Sequence, residues 1–159
     1  MVNLTPKEMS WINDLKSQEQ LCIEKYRQYA SRACDNRLKC LFEELEQHEK
    51  NHLSMLEAMG RGQVPAGNGG NQQQNQSAGW QQKQANCGDN VCSDQDWQAD
   101  KYLCQDALSM EKHVSQTYDT GIFEFQDPAF RDALNKIQKQ EQEHGEKIYQ
   151  YMAANNMYH

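Results

Sequence analysis

The stretch Gln138–Lys147, QKQEQEHGEK, decides how this chain is read. It holds no apolar side chain, yet Ile137 precedes it and Ile148 follows it. A helix that buries one face needs an inward contact every three or four residues. Counted from Leu134 and Ile137, the next inward positions are Glu141 and then His144 or Gly145. The pattern predicts a helix that turns a glutamate, and with it a histidine, into its own core.

A second copy of the pattern stands 92 residues earlier. At that offset Asp35 aligns with Asp127, Leu38 with Phe130, Phe42 with Leu134, Leu45 with Ile137 and Leu56 with Ile148, without a gap. Glu49 aligns with Glu141 and His52 with His144, so the two Glu-x-x-His sequences of the chain, EKNH and EQEH, are equivalent. Upstream, Glu19 aligns with Glu111, Tyr26 with Tyr118 and Cys22 with Val114. Each half reads as a helical hairpin, and the chain as a duplication of one hairpin.

The helices follow from their caps. Thr5-Pro6 with Glu8 three residues on predicts a first helix over 6–32, opened by a capping box. Asp35 caps a second helix over 36–59, closed by Gly60 and Gly62. Residues 60–95, rich in Gly, Gln and Asn and nearly free of apolar side chains, read as a linker, disordered unless a partner chain or a disulfide orders it. A third helix is expected over 96–124. Asp127-Pro128 opens a fourth over 128–154. The expected architecture is all-α: one domain over 1–159, a four-helix bundle of two duplicated hairpins joined by a long crossover linker.

Four glutamates sharing a core repel one another and are costly to desolvate. Two divalent cations remove the difficulty. One Glu from each of two helices plus Glu-x-x-His from each of the other two is the ligand set of dinuclear carboxylate bundles. The expected metal ligands are Glu19, Glu49, His52, Glu111, Glu141 and His144, and mixed oxygen and imidazole donors suit two iron or manganese ions. Glu111 lies at the edge of its helix stripe. Glu24 and Asp106 are the alternatives, although Glu24 falls opposite the stripe of helix one. Tyr26 and Tyr118 read either as plain core residues or as hydrogen-bond donors to ligand carboxylates. His48 reads as an outer partner or a surface residue, because its repeat equivalent is Gln140. His113 and His159 have no supporting pattern.

The totals limit the alternatives. The chain has 159 residues and a net charge of −7, which argues against a nucleic-acid partner. No apolar run approaches the roughly 18 residues of a membrane span, and the N-terminus shows no secretory signal. Such a chain is expected to start in a reducing cytoplasm, which argues against disulfides unless it is exposed later. Of its six cysteines, Cys22 reads as a small core residue, and Cys87 and Cys92 fall in the polar linker. The four residues between Cys87 and Cys92 make a zinc site a weak reading.

With these residues in view, the ligand set and the Tyr seven residues after Glu19 and Glu111 resemble the ferritin-like superfamily. The C-terminal segment from YLCQDALSMEKH to AANNMY resembles the Coat F family of spore coat proteins, and LTPKEMSWINDLKSQEQLCIEKY its clostridial-type N-terminal half. The ending NNMYH departs slightly from the GMY-like ending of better-known members. The resemblance implies a structural spore coat protein, made in the mother-cell cytoplasm and deposited on the spore coat. Its expected partners are itself and other coat proteins. Exposure of the coat once the mother cell lyses makes disulfides of Cys87 and Cys92, within or between chains, an expectation. The competing reading is a di-iron or di-manganese redox enzyme with ferroxidase, peroxidase or catalase-like activity.

Overall fold

Four helices form where the caps and apolar stripes place them, and a computed structural model describes residues 1–65 and 86–158. Helix α1 runs Pro6–Arg32, α2 Asn36–Gly60, α3 Asp94–Ile122 and α4 Pro128–Ala154. Among the described residues there is no strand. Thr5 and Glu8 close the expected capping box, and Asp35 and Asp127 accept from Arg37 N and Ala129 N. Helix α3 starts two residues before the expected 96 and ends at Ile122 rather than 124. Its cap is Ser93, with Asp96 completing a capping box that the sequence reading did not assign. Helix α2 takes in Gly60, and Gly62 behind it adopts a positive φ of 73°. A side chain at Gly62 would also meet the Val2 carbonyl at 2.4 Å.

Helix α1 packs along α2 and α3 along α4. The hairpins then meet through α1 against α3 and α2 against α4. The centre is one continuous apolar core. Leu38, Phe42, Leu45, Leu56 and Met59 of α2 face Phe130, Leu134, Ile137, Ile148 and Met152 of α4. Ile12, Leu15, Leu103, Ala107 and Val114 close it from α1 and α3.

The two hairpins grip each other's turns. Glu8 on α1 accepts from the backbone N–H of Gln126 in the α3–α4 turn at 2.9 Å. Asp100 on α3 accepts from Cys34 N and Asp35 N in the α1–α2 turn at 2.9 and 3.0 Å. Glu8 and Asp100 are equivalent in the repeat, and so are Cys34 and Gln126. The halves are therefore related by an approximate twofold exchange, and a buried carboxylate satisfies the turn of the opposite half each time.

Only one of these ends is also held covalently. Cys34 bonds to Cys92 and Cys40 to Cys87. Cys87 and Cys92 form disulfides as expected, within the chain and with partners in the first hairpin. Around them Asn90 accepts from Asn36 N and donates to Cys34 O, and Arg37 pairs with Asp89. The segment entering α3 is thus stapled to the α1–α2 turn. Helix α2 ends at the other end of the bundle, where Val2 N donates to Gly62 O. The expectation for the linker concerns residues 60–95, of which 66–85 lie outside the described residues.

Candidate metal centre

Halfway along the bundle the apolar layers give way to one polar layer. Glu19, Glu49, His52, Glu111, Glu141 and His144 are all at most 2 % exposed. Helical spacing explains how they arrive there: Glu-x-x-His puts both side chains on one face, and that face continues the buried stripe of α2 and of α4. The structure brings all six expected ligands together, Glu111 included. Glu24 is exposed and pairs with Arg27, and Asp106 meets Tyr29 and Lys25 instead. His113 is exposed.

The six form two overlapping groups. Glu19, Glu49, His52 and Glu141 make one; Glu49, Glu111, Glu141 and His144 make the other. Within each group one ligand atom per residue lies within 4.8 Å of all the others. Glu49 and Glu141 belong to both. The imidazoles cross between halves: His52 Nδ1 is 3.0 Å from Glu141, and His144 Nδ1 is 3.1 Å from Glu49.

The outer partners cross as well. Tyr26 donates to Glu111 and Tyr118 to Glu19, each to the carboxylate of the opposite half. His52 Nε2 lies 2.8 Å from Gln140 Oε1, an oxygen that only accepts, so His52 carries its proton on Nε2 and turns Nδ1 inward. His144 Nε2 lies 3.1 Å from His48 Nδ1 in the equivalent arrangement. His48 is thus an outer partner of His144. The sequence reading passed over Gln140 as a partner, although its alignment with His48 was the signal that could have found it.

The electrostatics show a charge problem shared among the six groups. Burial, reinforced by Glu49 and Glu141, raises Glu19 and Glu111 well above the ordinary carboxyl value. Burial alone would raise Glu49 and Glu141 too. Neighbouring groups overcome it: His144 acts most on Glu49, which lies well below its ordinary value, and hydrogen bonds with Glu111, His144 and His52 bring Glu141 down to about 2. Burial opposes charging the imidazoles, but the surrounding carboxylates raise both well above 6.5. His48, half-buried beside His144, drops to about 3 and stays neutral. Without metal, the shifts all run in the direction that lessens the crowding of negative charge: Glu19, Glu111 and both imidazoles hold protons more tightly, and Glu49 and Glu141 less tightly. Divalent cations would relieve the same crowding of carboxylates in place of protons.

The cluster also has hydrogen-bonding gaps. Glu19 Oε2, Glu111 Oε2 and Glu141 Oε2 are buried oxygens with no hydrogen-bond partner. Buried polar atoms are nearly always satisfied, so three unsatisfied oxygens in one cluster fit a group that accepts lone pairs. The donor set suits iron or manganese. A surface groove of about 410 Å³ lies elsewhere, lined by Lys101, Leu108, Lys112 and Tyr158 among others, and none of the six residues lines it.

Comparison with known proteins agrees with the bundle. A two-domain protein from Anabaena variabilis ATCC 29413, containing DJ-1/ThiJ/PfpI-like and ferritin-like domains, is similar in structure. The TM-score is 0.66 at 15 % sequence identity, over 96 % of this chain. The chain spans only 38 % of that protein, and the likeness concerns the fold. No curated protein matches the sequence. The Coat F domain matches residues 99–159, most of α3 and all of α4. The molecule is thus a ferritin-like bundle of two helical hairpins, and its C-terminal hairpin matches the Coat F domain of spore coat proteins.

Proposed function

We propose that this chain is a structural, self-associating protein of the spore coat whose bundle core holds a dinuclear iron or manganese site. The observation that carries the metal reading is the pair of ligand groups sharing Glu49 and Glu141, with three unsatisfied oxygens between them. In this reading Glu49 and Glu141, members of both groups, would help to hold both ions. Glu19 and His52 complete one position, and Glu111 and His144 the other. When bound, the metal pair neutralises the carboxylates and supplies oxygen or peroxide chemistry at any open coordination position. Gln140 and His48 hold the imidazoles in the tautomer that aims Nδ1 at the centre. Tyr26 and Tyr118 orient the terminal carboxylates and, with the apolar layers above and below, exclude water.

The coat reading rests on the Coat F match. Synthesis in the mother-cell cytoplasm, followed by deposition on the spore, also accounts for two disulfides in a chain read as cytoplasmic in origin, because they would close once the coat is exposed to air. Association with itself and with other coat proteins would use exposed apolar side chains such as Leu21 and Phe123. The second reading, a di-metal redox enzyme, is favoured by one fact. Carboxylates are kept where leucines would make a more stable core.

Elemental analysis of protein purified without chelator tests the site, followed by oxygen and peroxide consumption. About two iron or manganese ions per chain without turnover is the expected result. The same metal content with turnover supports the enzyme. A chain that stays metal-free after reconstitution sinks the site. Analytical ultracentrifugation of the full chain tests self-association, and a strictly monomeric chain at high concentration would contradict it.

A further inference from the structure

Away from the cluster, a groove of about 410 Å³ opens beside α3 and is walled on its far side by Met152, Met157 and Tyr158. Lys101, Leu108 and Lys112 of α3 line it. Among the described residues no acidic side chain does, in a chain whose net charge is −7. We propose that this groove receives the outer face of α1 from a second copy of the chain, with Leu21 seated against Leu108 and with Asp14 and Glu24 facing Lys101 and Lys112. The proposal rests on the self-association reading given above and assigns it a surface.

The end of α4 builds the far wall. Asn156 turns the chain back with a positive φ of 57°, and Met157 N donates to Met152 O at 2.8 Å. The Trp97 indole N–H on α3 donates to Asn155 O at 3.1 Å and ties this turn to the start of α3. Met157 is buried as a result, and Tyr158 meets Tyr149 edge to face with centroids 4.8 Å apart. On the near side Leu108 is half-buried opposite Gly145, where a Cβ would stand 3.6 Å from it. Leu108 follows Lys101 by seven residues and precedes Lys112 by four, so the three share one helix face. Neither lysine belongs to an ion pair among the described residues, and Lys101 lies over the Trp97 ring at 5.4 Å. Methionines in the wall can adapt to an incoming apolar side chain.

Helix α1 carries the complementary pattern on its exposed side. Leu21 is 59 % exposed, and Asp14 and Glu24 beside it are exposed as well. Leu21 follows Asp14 by seven residues and precedes Glu24 by three, nearly the spacing of Leu108 between its lysines. At the rise of an α-helix the two acids stand about 15 Å apart along the axis and the two lysines about 16 Å. Laid parallel, the helices bring acid to lysine at both ends and leucine to leucine between them. Asn13, Ser17, Gln20 and Gln28, exposed on the same side of α1, are uncharged. Arg27 adds a positive charge there, but it already pairs with both Glu24 and Glu46.

The repeat does not supply this pairing. The equivalents of Lys101, Leu108 and Lys112 are Met9, Lys16 and Gln20, and those of Asp14, Leu21 and Glu24 are Asp106, His113 and Gln116. Groove and ridge therefore belong to different halves and are different patches. Contact between them is head to tail: the copy that offers its groove keeps a free α1 face, and the copy that offers α1 keeps a free groove. Such a contact continues into a ring or an open filament. Burial of Leu21 supplies the apolar gain. The charges around it set the orientation and disfavour the reverse pairing.

The test exchanges the charges in the full chain. Lys101→Glu with Lys112→Glu sets acid against acid, and Asp14→Lys with Glu24→Lys sets lysine against lysine. In analytical ultracentrifugation each double variant should associate at least about tenfold more weakly than wild type. A one-to-one mixture of the two should recover the wild-type affinity, because every groove then meets an α1 face of opposite charge. Leu21→Ser should also weaken association, with helix content by circular dichroism unchanged in all variants. Carbodiimide treatment of an equal mixture of unlabelled and nitrogen-15 chains should join Lys101 to Asp14 or Lys112 to Glu24 in peptides of mixed isotope. Double variants or Leu21→Ser that associate like wild type overturn the docking and leave self-association standing. So does a mixture that fails to recover, and so do cross-links confined to peptides of one isotope, the mark of pairing within one chain. A wild-type chain that stays monomeric at high concentration overturns the docking and the self-association together.

Discussion

The two hairpins are copies, and what differs between them shows which features the centre requires. Glu19 and Glu111, Glu49 and Glu141, His52 and His144, and Tyr26 and Tyr118 are matched one for one. Both tyrosines and His144 make their nearest cluster contact across the repeat, and His52 meets Glu141 of the other half and Glu49 of its own equally closely. One shell further out the match loosens. His48 stands where the copy has Gln140, and both do the same task by accepting a hydrogen from an imidazole. Further still it fails, with Tyr29 opposite Gly121 and two disulfides at only one end of the bundle. Chemical identity is kept at the cluster, chemical role is kept around it, and neither is kept at the periphery.

Removing a shared carboxylate tests the equivalence most severely. Glu49→Ala and Glu141→Ala should each strip both metal positions, whereas Glu19→Ala and Glu111→Ala should each leave about one ion of the two. Metal content by elemental analysis, with circular dichroism to confirm the fold, gives the answer. A Glu141→Ala protein that keeps its full metal content would break the comparison.

Next in size is the contrast between the two ends. In the chain-entropy account, closing a loop of this size, 47 or 58 residues apart, is worth about 4 kcal/mol. One bond lies inside the loop of the other, so the pair contributes less than twice that. Thermal unfolding with and without reductant should show a large drop in melting temperature. Cys34→Ser should account for much of it and Cys22→Ser for almost none. Cys22 and Cys104 are free and buried.

The cluster's protonation predicts a pH effect of opposite sign with and without metal. Glu19, Glu111, His52 and His144 hold protons more tightly in the folded chain than unfolded. The stability they contribute is complete below 4.5 for the carboxyls and below 6.5 for the imidazoles, and it is lost as pH rises through the raised folded values. Glu49 and Glu141 act in the other direction, and their contribution is lost only as pH falls below 4.5 through their lowered folded values, about 2 for Glu141. The metal-free melting temperature should therefore fall as pH rises above 4.5 through the raised carboxyl values and further as it rises above 6.5 through the raised imidazole values, while metal uptake strengthens in the same direction because it displaces protons. Calorimetry in buffers of different ionisation heat would detect the protons released, and a net release on metal binding is expected.

The smallest effect is expected from exchanging the outer partners. His48→Gln makes the first half like the second and keeps an acceptor for His144. It should change metal affinity little, whereas His48→Leu removes the acceptor and should weaken binding by about 10–100-fold. A metal titration that finds His48→Gln and His48→Leu equally damaging would show that the imidazole itself matters and that the two halves are not interchangeable there.

Much of this was legible beforehand. The helix bounds came from Thr5, Asp35 and Asp127, because caps are local chemistry. The six cluster residues came from periodicity plus repetition, because a polar residue on a buried stripe has to be satisfied. Helix α3 began early because Ser93 and Asp96 form a capping box within a run of polar residues that offered several starts. The cysteine partners were out of reach, since Cys34 and Cys40 lie far along the chain from Cys92 and Cys87 and only packing brings them together.

The sequence by itself determined the elements and the faces they bury: two copies of one amphipathic hairpin, each with a glutamate, a tyrosine and a Glu-x-x-His in phase with its apolar stripe. Tertiary structure alone decided which copy each of those groups would serve. Tyr26 reaches Glu111, His52 reaches Glu141 and Gln140, and Glu8 and Asp100 hold each other's turns. The physical reason is that a stripe states only that a side chain points inward. The opposite helix of an approximately twofold bundle supplies what it meets there.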